Sequence, residues 1–261
     1  MIRAIFLDID GTLVSTVTHR AAPRTAEALL KASAAGVLLF TATGRHTRVP
    51  EEGYILDRLP DCFDGHVALT GQYCYLRDGT PVLQRPLDPG DVKRVKEMTD
   101  EQQIAYTYTY EDQLYISRVN DRVRRHNASI GLPIPGQREM DPSRNVYGIT
   151  LYMSAEEEEQ YLKPLLHRSS TVSWIRGIVD ICSENAGKKA GVEAVLAHFG
   201  ISPEEALAIG DSDNDLSMFE AVRWRAAMGN STPALRAAAD YITETCEADG
   251  IYQAFAHYGI I

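Results

Sequence analysis

Cysteine is scarce and scattered in this chain. Cys62, Cys74, Cys182 and Cys246 form neither a Cys-x-x-Cys pair nor a cluster with histidine. That argues against a zinc site or a disulfide framework and leaves a reducing, cytoplasmic setting as the expected one. Long apolar runs are missing, so no membrane span is expected. The first residues lack the basic segment, apolar core and cleavage site of a secretory leader. Positive charge is outnumbered, with 26 Lys and Arg against 36 Asp and Glu and a net charge of −10. Such a surface repels nucleic acid and anionic membranes, and neither is an expected partner. The seven histidines (His19, His46, His66, His126, His167, His198, His257) show no metal spacing, and the chain has neither internal repeats nor low-complexity tracts. Nothing in the sequence speaks to oligomeric state.

What is present is most informative at residues 5–13, Ile-Phe-Leu-Asp-Ile-Asp-Gly-Thr-Leu. An apolar strand ends there in two carboxylates, Asp8 and Asp10, two residues apart. Strand geometry places them on one face. Gly11 then permits a sharp turn. Two adjacent anions are unfavourable without a cation or a shared proton. A hard divalent ion such as Mg2+ suits oxygen ligands best.

The 261 residues, 44% of them hydrophobic, suffice for a sizeable core. The first part alternates strand and helix: strand 2–8, helix 23–35, strand 37–41, strand 66–69, then a hairpin of 73–76 and 81–83 around Asp78-Gly79. The texture changes to helix 88–103, strands 105–110 and 114–119, and a basic helix over 121–129. Strand 146–153, helix 155–166 and short strands 171–175 and 178–182 follow. This mixture predicts an α+β insert. Tyr106, Tyr108 and Tyr110 share one strand face and read as packed core, and Glu156–Glu159 reads as a solvated helix face. The α/β rhythm returns with a helix over 192–199 capped by Gly200, and a strand 206–209 running into Gly-Asp-Ser-Asp-Asn-Asp (210–215). A helix through Met218 and Ala221, a strand near 226–228, and helices after Pro233 and from Ile251 complete the chain.

Four apolar strands or helix starts thus present polar groups: Asp8 and Asp10, Thr43, Lys188, and Asp211 with Asp215. In an open parallel sheet all C-terminal strand ends lie on one edge, where such sheets bind ligands. Taken with their order, these motifs resemble those of the haloacid dehalogenase (HAD) superfamily of phosphohydrolases. Asp8-Ile9-Asp10-Gly11-Thr12 resembles its first motif, Thr43-Gly44-Arg45 its second, Lys188 its lone lysine and residues 210–215 its fourth. An insert between the second and third motifs is similar to the C2-capped (C2B-like), Cof-type subfamily. The resemblance implies a doubly wound parallel-sheet (Rossmann-like) core over 1–82 and 184–261, and an α+β cap domain over 83–183 that closes over it. Thr70-Gly71-Gln72 departs from the usual Asn-Gly-Ala, and Lys189 stands where relatives often carry glycine. Lys188 and Lys189 adjoin, and the count from Phe199-Gly200 favours Lys188.

Chemistry assigns parts to these residues. A phosphate monoester repels a bare carboxylate unless a cation intervenes. Asp8 is the candidate nucleophile, forming an aspartyl-phosphate. Asp10 would protonate the leaving oxygen and then deprotonate water. The resemblance implies a metal contact for Asp10 through its main-chain carbonyl, a direct carboxylate ligand in Asp211, and Asp215 nearby. Ile9, Thr43, Gly44, Arg45, Lys188 and Asn214 would surround the phosphoryl group. The expected activity is Mg2+-dependent hydrolysis of small phosphorylated metabolites such as sugar phosphates. A phosphomutase would share the nucleophile and metal. A phospho-Asp receiver module would be much shorter, with its acceptor on a middle strand.

Overall fold

The structure is a computed structural model that describes all residues except 50–53, 131–132, 174–175 and 185. The chain forms two compact units: Met1–Thr47, Gly53–Gln84 and Gly187–Ile261 make the first, Arg48–Glu52 and Arg85–Ala186 the second.

The first unit is built on an eight-stranded sheet of order β13-β12-β11-β1-β2-β3-β4-β5. β1 (Ala4–Leu7) lies between β2 (Leu38–Ala42) and β11 (Ala206–Gly210), parallel to both. β3 (Gly65–Ala68), β12 (Trp224–Ala227) and β13 (Tyr241–Ile242) extend the parallel part. β4 (Tyr73–Leu76) and β5 (Pro81–Gln84) add an antiparallel edge. A strand covered on both faces must be apolar throughout, and every residue of β1 is fully buried. Alternate side chains feed opposite cores. Ile5, Leu7, Leu39, Leu207 and Ile209 pack with α1 (Thr25–Ala34) and α8 (Gly250–His257). Phe6, Phe40, Ala206 and Ala208 pack with α5 (Lys188–Phe199) and α7 (Pro233–Ala238). The expected mixed α/β architecture with a parallel-dominated sheet is therefore observed.

The second unit has a five-stranded antiparallel sheet of order β7-β6-β8-β10-β9, from β6 (Tyr106–Thr109), β7 (Leu114–Ile116), β8 (Gly148–Leu151), β9 (Ser169–Val172) and β10 (Val179–Ser183). The helix α2 (Pro89–Glu101), capped by the Asp88 carboxylate on the Asp91 amide, covers the face that carries Tyr106, Tyr108 and Tyr110. The tyrosine stripe is packed core, as expected. The helix α3 (Asp121–Ile130) packs Val123 with Ala105, Ile116, Tyr152 and Ile178.

Three expectations fail here. The single helix over 155–166 breaks into α4 (Ala155–Glu157), a π turn (Glu158–Leu162) and a 3-10 turn (Lys163–Leu165). Pro164, without an N–H, cannot continue α-helical bonding. Nor is Glu156–Glu159 wholly solvated. Glu158 is buried and accepts hydrogen bonds from Thr171 Oγ1 (2.5 Å) and Ser173 Oγ (3.5 Å). The strand expected over 171–175 overlaps β9 only at Thr171 and Val172, Ser173 lies beyond the strand, and Trp174 and Ile175 lie outside the described residues. The helix expected through Ala221 is only α6 (Leu216–Phe219). No helix among the described residues is long and apolar enough to cross a membrane.

Candidate active site

Asp8 follows the last residue of β1, and its amide donates to Ile209 O of β11 at 3.0 Å. The central strand thereby delivers a carboxylate to the C-terminal edge of the parallel sheet. The first turn of α5 brings Lys188 to the same edge. Lys188 is fully buried, with Nζ 2.6 Å from Asp8 Oδ1 and 2.6 Å from Asp215 Oδ1. Lys189, one residue on, pairs with Glu220 at the surface. Asp215 Oδ2 accepts from the amides of Asp211 (2.9 Å) and Ser212 (3.1 Å), which ties the loop after β11 to the lysine. Asp211 Oδ1 accepts from Thr12 Oγ1 at 3.3 Å.

Asp8, Asp211 and Asp215 each offer a carboxylate oxygen, all within 4.8 Å of one another. Burial raises Asp8 well above the usual carboxylate range, more than Lys188 lowers it, and Asp215 and Asp211 add to the rise. Burial and then Asp215 push Asp211 up to about 6. Lys188 would lose its proton more readily through burial, but the carboxylates of Asp215 and Asp8 outweigh that and raise it. The pocket thus carries more negative charge than one ammonium offsets. A crowded set of hard oxygen donors of this kind fits a divalent cation.

Asp10 is not part of this cluster. Its carboxylate accepts both arms of the Arg45 guanidinium, Nε to Oδ2 at 2.6 Å and Nη2 to Oδ1 at 2.8 Å. The pair is half-buried. The loop after β2 holds Arg45 in place. Thr43 N donates to Val67 O (2.9 Å), and the Arg45 amide donates to Thr43 Oγ1 (3.1 Å). Gly44 connects the two. Asn214, in a 3-10 turn (Asp213–Asp215), accepts from Ser212 Oγ at 2.8 Å. Ile9 O anchors the turn by accepting from Leu13 (3.0 Å) and Val14 (2.8 Å). Among the described residues the amides of Ile9 and Asp10 donate to no protein acceptor.

Three further supports hold these loops, of which the sequence reading missed Asn230 entirely and the contacts of Gly11 and Thr70-Gly71. Asn230 spans two loops, its Nδ2 donating to Gly11 O (2.9 Å) and its Oδ1 accepting from Cys246 N (3.0 Å). Gly11 has φ +88°, and a Cβ there would lie 2.2 Å from Asp211 Oδ2. Finally, Leu69, Thr70 and Gly71 are consecutively left-handed, and Thr70 O accepts the Gly187 amide at 2.8 Å. That loop braces the start of α5 and hence Lys188. A Cβ at Gly71 would lie 2.2 Å from Gly187 O. Glycine in the turn after Asp10 was the one local signal; the partners of Asn230 lie 219 and 16 residues away.

Residues 5–255 match the family of haloacid dehalogenase-like hydrolases. A protein of Streptococcus pyogenes serotype M6, provisionally named a bifunctional phosphatase/peptidyl-prolyl cis-trans isomerase, is 29% identical over 262 residues. That alignment covers 100% of this chain and 54% of the relative, so the chain spans about half its length. Among solved structures, the HAD phosphatase BT1666 from Bacteroides thetaiotaomicron superposes with a TM-score of 0.86 at 27% identity, over 100% of this chain and 96% of that one. The HAD subclass IIB sugar phosphatase BT4131 gives a TM-score of 0.83 at 30% identity, over 99% and 100%.

Proposed function

The chain belongs to the haloacid dehalogenase-like hydrolases as a Cof-type phosphatase, and on that premise we propose that it hydrolyses small organic phosphate monoesters, sugar phosphates foremost, through an aspartyl-phosphate on Asp8 with Mg2+ as cofactor. The observation that carries the reading is the buried contact of Lys188 with both Asp8 and Asp215, beside Asp211. The likeness to a sugar phosphatase supports the substrate class.

Asp8 and Asp211, with Asp215 adjoining and the Asp10 main-chain carbonyl, would hold the metal. When bound, Mg2+ supplies charge neutralisation between the nucleophile and a phosphoryl oxygen. Lys188 engages Asp8 Oδ1, which leaves Oδ2 to attack phosphorus. The amides of Ile9 and Asp10, the Thr43 hydroxyl, the amide beside it at Gly44, and the Asn214 carboxamide receive the phosphoryl oxygens. Asp10 gives a proton to the departing alkoxide as the P–O bond breaks. It then takes a proton from the water that attacks the acyl-phosphate, releasing inorganic phosphate and restoring Asp8. Both Asp10 oxygens accept from Arg45 in the structure, so Arg45 orients the carboxyl through which the proton passes.

A phosphate-release screen over sugar phosphates, nucleotides and cofactor phosphates tests the reading. Turnover with MgCl2 that stops with EDTA, and preference for a sugar phosphate, is the expected result. Release that ignores EDTA would remove the metal from the account, and isomerised product without free phosphate would make the chain a mutase.

A further inference from the structure

The second unit contains a cavity lined by none of the residues named in the proposed reaction. It is lined by α3, by the residues following β8 and by those preceding β10, and its volume is about 750 Å3. Small-molecule sites commonly have such volumes. Met153 and Ile178 contribute an apolar floor, and Arg125, Arg176 and His126 contribute positive charge, His126 when protonated.

The charge is concentrated against the trend of the chain. Net charge is −10 overall, yet α3 places Arg122, Arg124, Arg125 and His126 within five positions. Arg122 is engaged by both oxygens of Glu157. Arg125 and Arg176 make no hydrogen bond or ion pair with any described residue. Two carboxylates also line the cavity. Glu158 is buried and held by Thr171 and Ser173. Glu156 is exposed, and after its main-chain and Ser154 hydrogen bonds, Arg176 helps hold its carboxyl below the usual range. Arg125 and Arg176 stand over an apolar floor against Glu156, and the charge of Glu158 is offset by Lys163, whose Nζ lies 3.9 Å from its Oε1, which leaves a local positive field. A guanidinium fork matches phosphate or carboxylate oxygens in pairs.

We infer that this cavity is an accessory binding site for an organic anion with a phosphate or carboxylate head and an apolar or aromatic body, built from residues other than those of the hydrolytic centre. Arg125 and Arg176 take the head, Met153 and Ile178 the body, and Glu156 competes for Arg176.

The test is calorimetric titration of the full chain in MgCl2 with two probes, phenylphosphonate, whose C–P bond resists phosphatase action, and phenylacetate. The responding probe identifies the head group. Binding should weaken at least tenfold in Arg125→Ala/Arg176→Ala, tighten several-fold in Glu156→Gln, and persist unchanged in Asp8→Asn. Hydrolysis of p-nitrophenyl phosphate should be the same in the cavity variants as in the parent, so the two proposals fail separately. The inference is overturned if neither probe binds at millimolar concentration, if the arginine double variant binds as the parent does, or if all binding disappears with Asp8→Asn.

Discussion

Replacing Lys188 by methionine removes the ammonium that lies 2.6 Å from Asp8 and 2.6 Å from Asp215. All three side chains are buried, Lys188 and Asp215 completely. Removing one partner of a buried ion pair leaves uncompensated charge and costs about 3–5 kcal/mol. Two residues limit the damage. Asp215 keeps two main-chain donors on Oδ2, and Asp8, already raised by burial, can take up a proton. Urea unfolding in EDTA at neutral pH reads the loss from the shift in midpoint at constant slope. For a chain of this size the same loss lowers Tm by roughly 6–20 °C. Mg2+ supplies an alternative cation at the same carboxylates, so it should stabilise the Lys188→Met variant more than the parent. Lys188→Met/Asp215→Asn should cost less than the sum of the single changes, because each removes one member of the same contact. A loss below about 1 kcal/mol, or equal Mg2+ stabilisation of parent and variant, would refute the reasoning.

Three further outcomes are expected. His66, hydrogen-bonded to Thr41 Oγ1 at 2.8 Å, is lowered by burial to about 4. The unfolded chain binds that proton near pH 6.5 and the folded chain does not, so on the order of 3 kcal/mol present above pH 6.5 is lost as pH falls towards 4. The stability difference between parent and His66→Gln should shrink by that amount between pH 7 and 4, and a constant difference rejects the assignment. Gly11→Ala would place a methyl 2.2 Å from Asp211 Oδ2 at φ +88°, so hydrolysis should collapse and the Mg2+ requirement rise by more than tenfold; unchanged Mg2+ dependence contradicts this. Asn230→Ala loses the bonds to Gly11 O and Cys246 N. It should cost about 2 kcal/mol in urea and lower kcat about tenfold with little change in KM, whereas an effect on KM alone would assign Asn230 to substrate binding.

The parallel sheet and its polar edge were legible because each signal is local. An apolar strand ending in Asp8, or in Gly210-Asp211, states both its burial and its terminus within a few residues. β4 was read with the bounds observed, since its hairpin turn at Asp78-Gly79 is encoded beside it. Lys188 was distinguished from Lys189 only by helix counting, and burial of one with surface pairing of the other is a tertiary property. The fork from Arg45 to Asp10 joins residues 35 apart, and either could have met other partners. β13, two residues long, carries too little pattern to see. Glu158 was read with its acidic neighbours, because its burial depends on Thr171 and Ser173 of a different element.

The central claim is that the Asp8 carboxylate becomes covalently phosphorylated during turnover. Rapid acid quench of enzyme mixed with substrate and MgCl2, followed by borohydride reduction and peptide mass spectrometry, reads this directly. The account predicts that residue 8 is converted to homoserine in the parent and not in Asp8→Asn or with EDTA. Full turnover with Asp8 never modified, or the same adduct on Asp211, would contradict it.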